Sequence, residues 1–217
     1  SLFRAAKVLQ EKTLELDSTA AYAYNELGLL ARRFQQYEQS VGYFNRALLF
    51  SPTWVLPWAN ICMSYNDLDQ TELAEKSGLK ALSLDSTLAW AHFNLGYTYL
   101  TKQDEAEATQ HFQKTILYDP DYINAYFNLG NVYYNTGDFV QAEEMWEKYR
   151  KRNPIDPAVY NSLGEVCAKL GKRKEASVVA ELHRMLKEDG DLSVRGEIVR
   201  ALWNIEGNAS ETAQRNL

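Results

Sequence analysis

Three asparagines stand at equal intervals along the chain: Asn60, Asn94 and Asn128 follow one another at steps of 34 (94−60 and 128−94). Two more, Asn25 and Asn161, sit one place ahead of the same register. A primary amide carries two N–H donors and a carbonyl acceptor. A column of amides on one face can therefore bond the N–H and C=O groups of an extended peptide, whatever its side chains are. The same groups can also bond within or between the elements that carry them, and the spacing alone is compatible with both.

Residues suited to catalysis are less organised. His92 falls at a core aromatic position, and neither His111 nor His183 has a companion at metal-ligand spacing. No GxSxG, phosphate-loop or GxGxxG pattern occurs. Glu143-Glu144 and Asp104-Glu105 read as helix-surface or capping carboxylates. Cys62 and Cys167 lie 105 residues apart (167−62) without a CxxC pair. That pattern fits two buried thiols in a reducing compartment, hence a cytoplasmic setting, better than a disulfide scaffold or a zinc site. The run Lys169, Lys172, Arg173, Lys174 reads as a solvated turn, and the sequon Asn208-Ala209-Ser210 matters only in a secreted chain. The sequence thus predicts no enzyme, no cofactor and no metal.

The asparagine spacing belongs to a repeat that runs through the whole chain. The segments beginning at Tyr24, Trp58, His92, Tyr126 and Tyr160 are alike and start at steps of 34, each ending four residues on in Gly28, Cys62, Gly96, Gly130 or Gly164. Helix-stopping pairs recur on the same grid at Asp17-Ser18, Ser51-Pro52, Asp85-Ser86, Asp119-Pro120 and Asn153-Pro154. Between the stops, apolar residues keep helical spacing and are interrupted once, at Leu68-Asp69-Gln70, Lys102-Gln103-Asp104, Gly137-Asp138 and Gly171-Lys172. Two helices per period, joined by a short turn, follow from this pattern. The glycines and Cys62 mark where helices cross closely, with Ala74, Ala108, Ala142 and Ala176 at the facing position. Phe44, Phe112 and Trp146 are expected to fill the gap toward the next pair. No single pair can bury both of its faces, so stacking makes the core.

This series of aromatic, Leu, Gly, Tyr, Ala, Phe, Ala and Pro resembles the tetratricopeptide repeat. The fourth copy, with Tyr126, Leu129, Gly130, Tyr133, Ala142, Trp146 and Pro154, matches best; the second departs at Gly78 and Ser86, the fifth at Ala180 and His183. The resemblance implies an all-α, right-handed superhelical solenoid. Its expected parts are the second helix of a truncated leading repeat over 1–20, repeats over 21–54, 55–88, 89–122, 123–156 and 157–190, a capping helix over 191–205 and a flexible tail over 206–217. A leading helix without its partner would leave an apolar flank, expected to be covered by more chain or by self-association.

In such repeats the first helix of each pair lines the concave face. Counted from each repeat start, the second position holds Tyr22, Leu56, Trp90 and Asn124, and the fifth Phe93 and Phe127. The ninth holds Leu29, Met63, Tyr97 and Asn131, and the twelfth Arg32, Asn66, Leu100 and Tyr134. Together with the asparagines these are the candidate peptide-binding residues, since rigid aromatics with polar tips anchor interfaces well. Phe93 and Phe127 can equally pack between helices. The asparagine column resembles the ladder in the superhelical repeats of O-linked N-acetylglucosamine transferase. The cations with which chaperone-binding members of the family grip a C-terminal carboxylate have no counterpart at Asn25 and Leu29. With a formal charge of −6, nucleic acid and anionic membrane surfaces are disfavoured partners, and no apolar run reaches the length of a membrane span. The expected function is a scaffold that receives an extended or helical segment of a protein partner. Alternatives are the substrate-recognition module of a larger, glycosyltransferase-like enzyme, or an assembly module.

Overall fold

The computed structural model describes residues 2–17 and 19–170. Ten α-helices make up the elements of that part: α1 (Leu2–Leu16), α2 (Ala21–Arg33), α3 (Tyr37–Phe50), α4 (Val55–Asp67), α5 (Thr71–Leu84), α6 (Ala89–Thr101), α7 (Glu105–Tyr118), α8 (Ile123–Thr136), α9 (Phe139–Arg152) and α10 (Pro157–Lys169). The second helix expected in the fifth repeat, the capping helix and the tail lie outside the described residues. None of the described helices is long and apolar enough to cross a membrane. The chain divides into two compact units, residues 1–120 and 121–217.

In the first unit α2 pairs with α3, α4 with α5 and α6 with α7, while α1 packs on α2. The pairs join because α3 packs on α4 and α5 on α6. The first helices also touch one another, α4 lying against both α2 and α6, whereas the second helices meet each other far less. The first helices thus converge on the inner side of the stack. In the second unit α8 pairs with α9, and α9 packs on α10.

Each pair is turned by the same four-residue device. Gln35, Asp69, Gln103 and Gly137, one repeat apart, have φ of 59°, 56°, 60° and 87°. The residue after each donates its N–H back across the turn: Gln36 to the Ala31 carbonyl, Gln70 to Tyr65, Asp104 to Tyr99 and Asp138 to Tyr133, at 2.8–2.9 Å. This left-handed closure satisfies helix-end carbonyls that would otherwise be orphaned. Only Gly137 adopts it without a side-chain clash. The chain then re-enters a helix. Asp104 accepts from the Glu107 N–H at the start of α7, and Asp156 accepts from Ala158 N–H beside Pro157, the first residue of α10.

Between pairs, the residue four places into the first helix reaches back to the preceding loop. Trp58 Nε1 donates to the Pro52 carbonyl at 3.1 Å and the Tyr160 hydroxyl to the Pro154 carbonyl at 2.8 Å. His92 Nε2 makes the corresponding contact with the Ser86 carbonyl at 3.1 Å. These side chains also stack on the end of the second helix, as in Tyr24 on Phe50 and His92 on Tyr118. In the fourth repeat the Arg152 guanidinium covers the Tyr126 ring instead, 4.6 Å from its centre.

The packing corrects one expectation. Phe44, Phe112 and Trp146 do not reach toward the next pair; each ring lies on the glycine of its own pair. A Cβ on Gly28, Gly96 or Gly130 would come within 2.5–2.7 Å of Phe44, Phe112 or Trp146 respectively. The second repeat inverts the arrangement. Gly78 stands where the other three carry the ring, Cys62 replaces the glycine, and Leu95 from the next pair fills the space, 2.6 Å from where a Gly78 Cβ would sit. Small and large have changed places and the local volume is kept. Burial raises the Cys62 thiol to about 12, so it stays protonated and inert.

Candidate functional site

The asparagine column of the first unit is turned inward. Trp90 Nε1, which can only donate, points at Asn60 Oδ1 at 3.1 Å. That orients the Asn60 amide, whose Nδ2 donates to Asn25 Oδ1 at 3.1 Å, and Asn25 Nδ2 donates to Glu26. One repeat on, Asn94 Nδ2 donates to the Ala59 carbonyl at 2.9 Å, and Asn66 Nδ2 donates to the Asn94 carbonyl at 3.0 Å. Thr98 Oγ1 sits 2.9 Å from both Asn66 Oδ1 and the Asn94 carbonyl. A polar spine therefore ties α2 to α4 and α4 to α6. Asn60 is 6% exposed and Asn94 1%. Of the two possibilities left open by the spacing, the structure realises bonding between the helices for Asn25, Asn60 and Asn94, and these amides are not offered to a ligand. Ala59, at the position that Phe93 and Phe127 hold elsewhere, keeps its carbonyl within reach; that is the sequence signal for the inward turn.

The outward-facing part of the first helices is apolar. Tyr22 is 63% exposed and Tyr97 48%, and Leu29 and Leu56 are also exposed. Met63 is half-buried. Trp90, half-buried, stacks on Phe93 with ring centres 6.1 Å apart, and Phe93 in turn leans on Phe112 of α7 at 5.7 Å. Phe93 thus serves the seam between α6 and α7 more than the surface. The charged groups at this face are paired: Arg32 Nε lies 2.7 Å from Asp67 Oδ2, joining α2 to α4.

In the second unit the amides stay on their own helices. Asn128, half-buried, donates to the Asn124 carbonyl at 2.9 Å. Asn161 Nδ2 lies 3.4 Å from Glu165 Oε1, and Asn131 is half-buried. Phe127 packs on Tyr149 at 5.1 Å, and Tyr134 sits between Phe139 and Trp146 at 5.5 and 5.6 Å. Burial and the neighbouring Glu165 raise the Tyr134 hydroxyl above the usual phenol range. Phe127 and Tyr134 are accordingly packing residues of the α8–α9 pair.

Sequence spacing did not reveal a buried imidazole pair in the first unit. His92 and His111 meet with Nδ1 atoms 2.9 Å apart, and His92 Nε2 faces the Ser86 carbonyl. A carbonyl only accepts, so neutral His92 carries its proton on Nε2 and its Nδ1 accepts from His111. The two rings stack on Tyr118 and Tyr99 respectively. Burial, with the neighbouring His92 and Lys114, lowers His111 to about 4, and burial also lowers His92. Their positions, 19 apart within one repeat, gave no metal-like spacing to notice. Among the described residues, no group of three or more His, Cys, Asp or Glu could hold a metal ion.

Residues 99–166 match the family model described as "Tetratricopeptide repeat". Among solved structures, the chain is similar to MamA, with 22% identity over 91% of this chain and 96% of that one and a TM-score of 0.62. It is also similar to PilF of Pseudomonas aeruginosa, with 21% identity over 90% and 97% and a TM-score of 0.67. A third is YrrB, described as a tetratricopeptide-repeat protein with an unusual peptide-binding site, with 16% identity over 86% and 95% and a TM-score of 0.62. At such identities these likenesses speak to the fold. The all-α helix pairs, their 34-residue turns and the matched repeat model agree, and the chain is a protein of the tetratricopeptide-repeat superfamily.

Proposed function

We propose that this protein-interaction scaffold holds a short peptide segment of a protein partner against the first helices α2, α4 and α6. The observation that carries the reading is the row of exposed Tyr22, Leu29, Leu56 and Tyr97 on helices locked together from beneath by the asparagine spine. Apolar side chains left in water on a rigid face gain by docking, and a face already ordered loses little entropy when it binds. Neighbouring packed helices lie about 8–10 Å apart, so three of them offer roughly 20 Å, the length of about six extended residues. The peptide-binding site named for YrrB gives this reading a precedent in the same fold. On α8, Asn128 and Asn131 are the polar positions proposed to face a ligand of the second unit.

Dodecapeptides selected from a random library on the full chain provide ligands for a test. Tyr97→Glu is expected to weaken those that use the face by at least about tenfold. Leu117→Glu, at an exposed position on α7, is expected to leave them unchanged. Equal binding by both variants would remove the first-helix face as the site.

A further inference from the structure

Resting on that reading of the first-helix face, we infer that it takes an uncharged peptide segment and rejects charge of either sign. The helices of the first unit divide sharply in composition. α4 and α6, 13 residues each, carry a single Asp, Glu, Lys or Arg between them, Asp67. The second helices packed on them carry many more: Glu72, Glu75, Lys76 and Lys80 on α5, and Glu105, Glu107 and Lys114 on α7.

The one carboxylate on α4 is engaged by Arg32. His92, the only other ionisable nitrogen on α6, is buried and bonded on both ring nitrogens, with burial holding it neutral at ordinary pH. What remains on the surface of these helices is Leu56, Met63 and Tyr97, beside Tyr22 and Leu29 of α2. Beneath it, the amides of Asn25, Asn60 and Asn94 bond to their own neighbours.

A lysine or glutamate laid on this face would shed water without gaining a counter-ion, which costs more than any apolar contact of its stem returns. Leucine, methionine, tyrosine or an amide loses nothing comparable. The complementarity is one of absent charge: the surface discriminates against both signs, and its affinity does not depend on ionic screening.

The test uses the full chain and random dodecapeptides, keeping those whose binding is lost in Tyr97→Glu but retained in Leu117→Glu. These are expected to be depleted in Asp, Glu, Lys and Arg at their central positions. Placing either Lys or Glu at the centre of a selected peptide should weaken it by about tenfold or more, and raising salt from roughly 50 to roughly 500 mM should change Kd by less than about twofold. Face-dependent peptides that retain a charge, or a Kd that shifts about tenfold with salt, would overturn this inference while leaving the docking face intact. If no selected peptide distinguishes Tyr97→Glu from Leu117→Glu, the docking face itself falls and this inference with it.

Discussion

Asn94 is the residue on which sequence and structure part most usefully. Its 34-residue register is plain in the chain, and so is the chemistry of an amide. The direction of that amide was not legible, because it depends on whether a carbonyl from the preceding first helix comes within reach. Ala59 brings one to 2.9 Å, and the side chain turns inward. Asn94→Ala would strip the Ala59 carbonyl of this donor in a site 1% exposed, and loss of a buried hydrogen bond costs about 1–3 kcal/mol. We expect Asn94→Ala to lower the chemical-denaturation midpoint by that amount. Asn128→Ala, whose amide bonds only within α8, should move it by less than about 0.5 kcal/mol. Equal effects would dissolve the distinction between spine and surface. The exposed members of the candidate set, Tyr22 and Tyr97, were legible from position alone, since no facing helix follows from the pattern at those places.

At the scale of the helix pair, the fold was readable because two independent signals coincide: helical apolar spacing and breakers every 34 residues. The left-handed turn was visible only in its fourth copy, where Gly137 declares it. Gln35, Asp69 and Gln103 adopt the same conformation under duress, since the hydrogen bonds across the turn outweigh the strain of an L residue there. Gln103→Gly relieves that strain and is expected to stabilise the chain by about 0.5–1 kcal/mol. Gly137→Ala should destabilise it by about 1 kcal/mol, although a Cβ on Gly137 would meet nothing within 4 Å. Thermal melts of the two variants should therefore shift in opposite directions. A rise for Gly137→Ala would show that space, not backbone conformation, rules the turn.

For the molecule as a whole, acid is the informative stress. Once unfolded, His92 and His111 titrate near 6.5; folded, they resist protonation, His111 down to about 4. The unfolded chain then binds protons that the folded chain refuses, so stability present above about pH 6.5 is lost as pH falls toward 4, by about 2–3 kcal/mol in all. Replacing the pair by the residues that the fifth and fourth repeats carry at these positions, His92→Tyr with His111→Met, should flatten the melting profile over that range; an unchanged slope would assign acid sensitivity elsewhere. The exchange of small for large around Gly78 bears on how such a chain can be re-cut. Because Leu95 fills the hollow that Gly78 leaves, residues 55–88 do not form a cassette that can be excised, duplicated or grafted alone. An engineered or evolutionary recombination that moves them must carry α6 along or restore an aromatic at 78 and a glycine at 62, so the inheritable brick here is larger than the period that first betrays it.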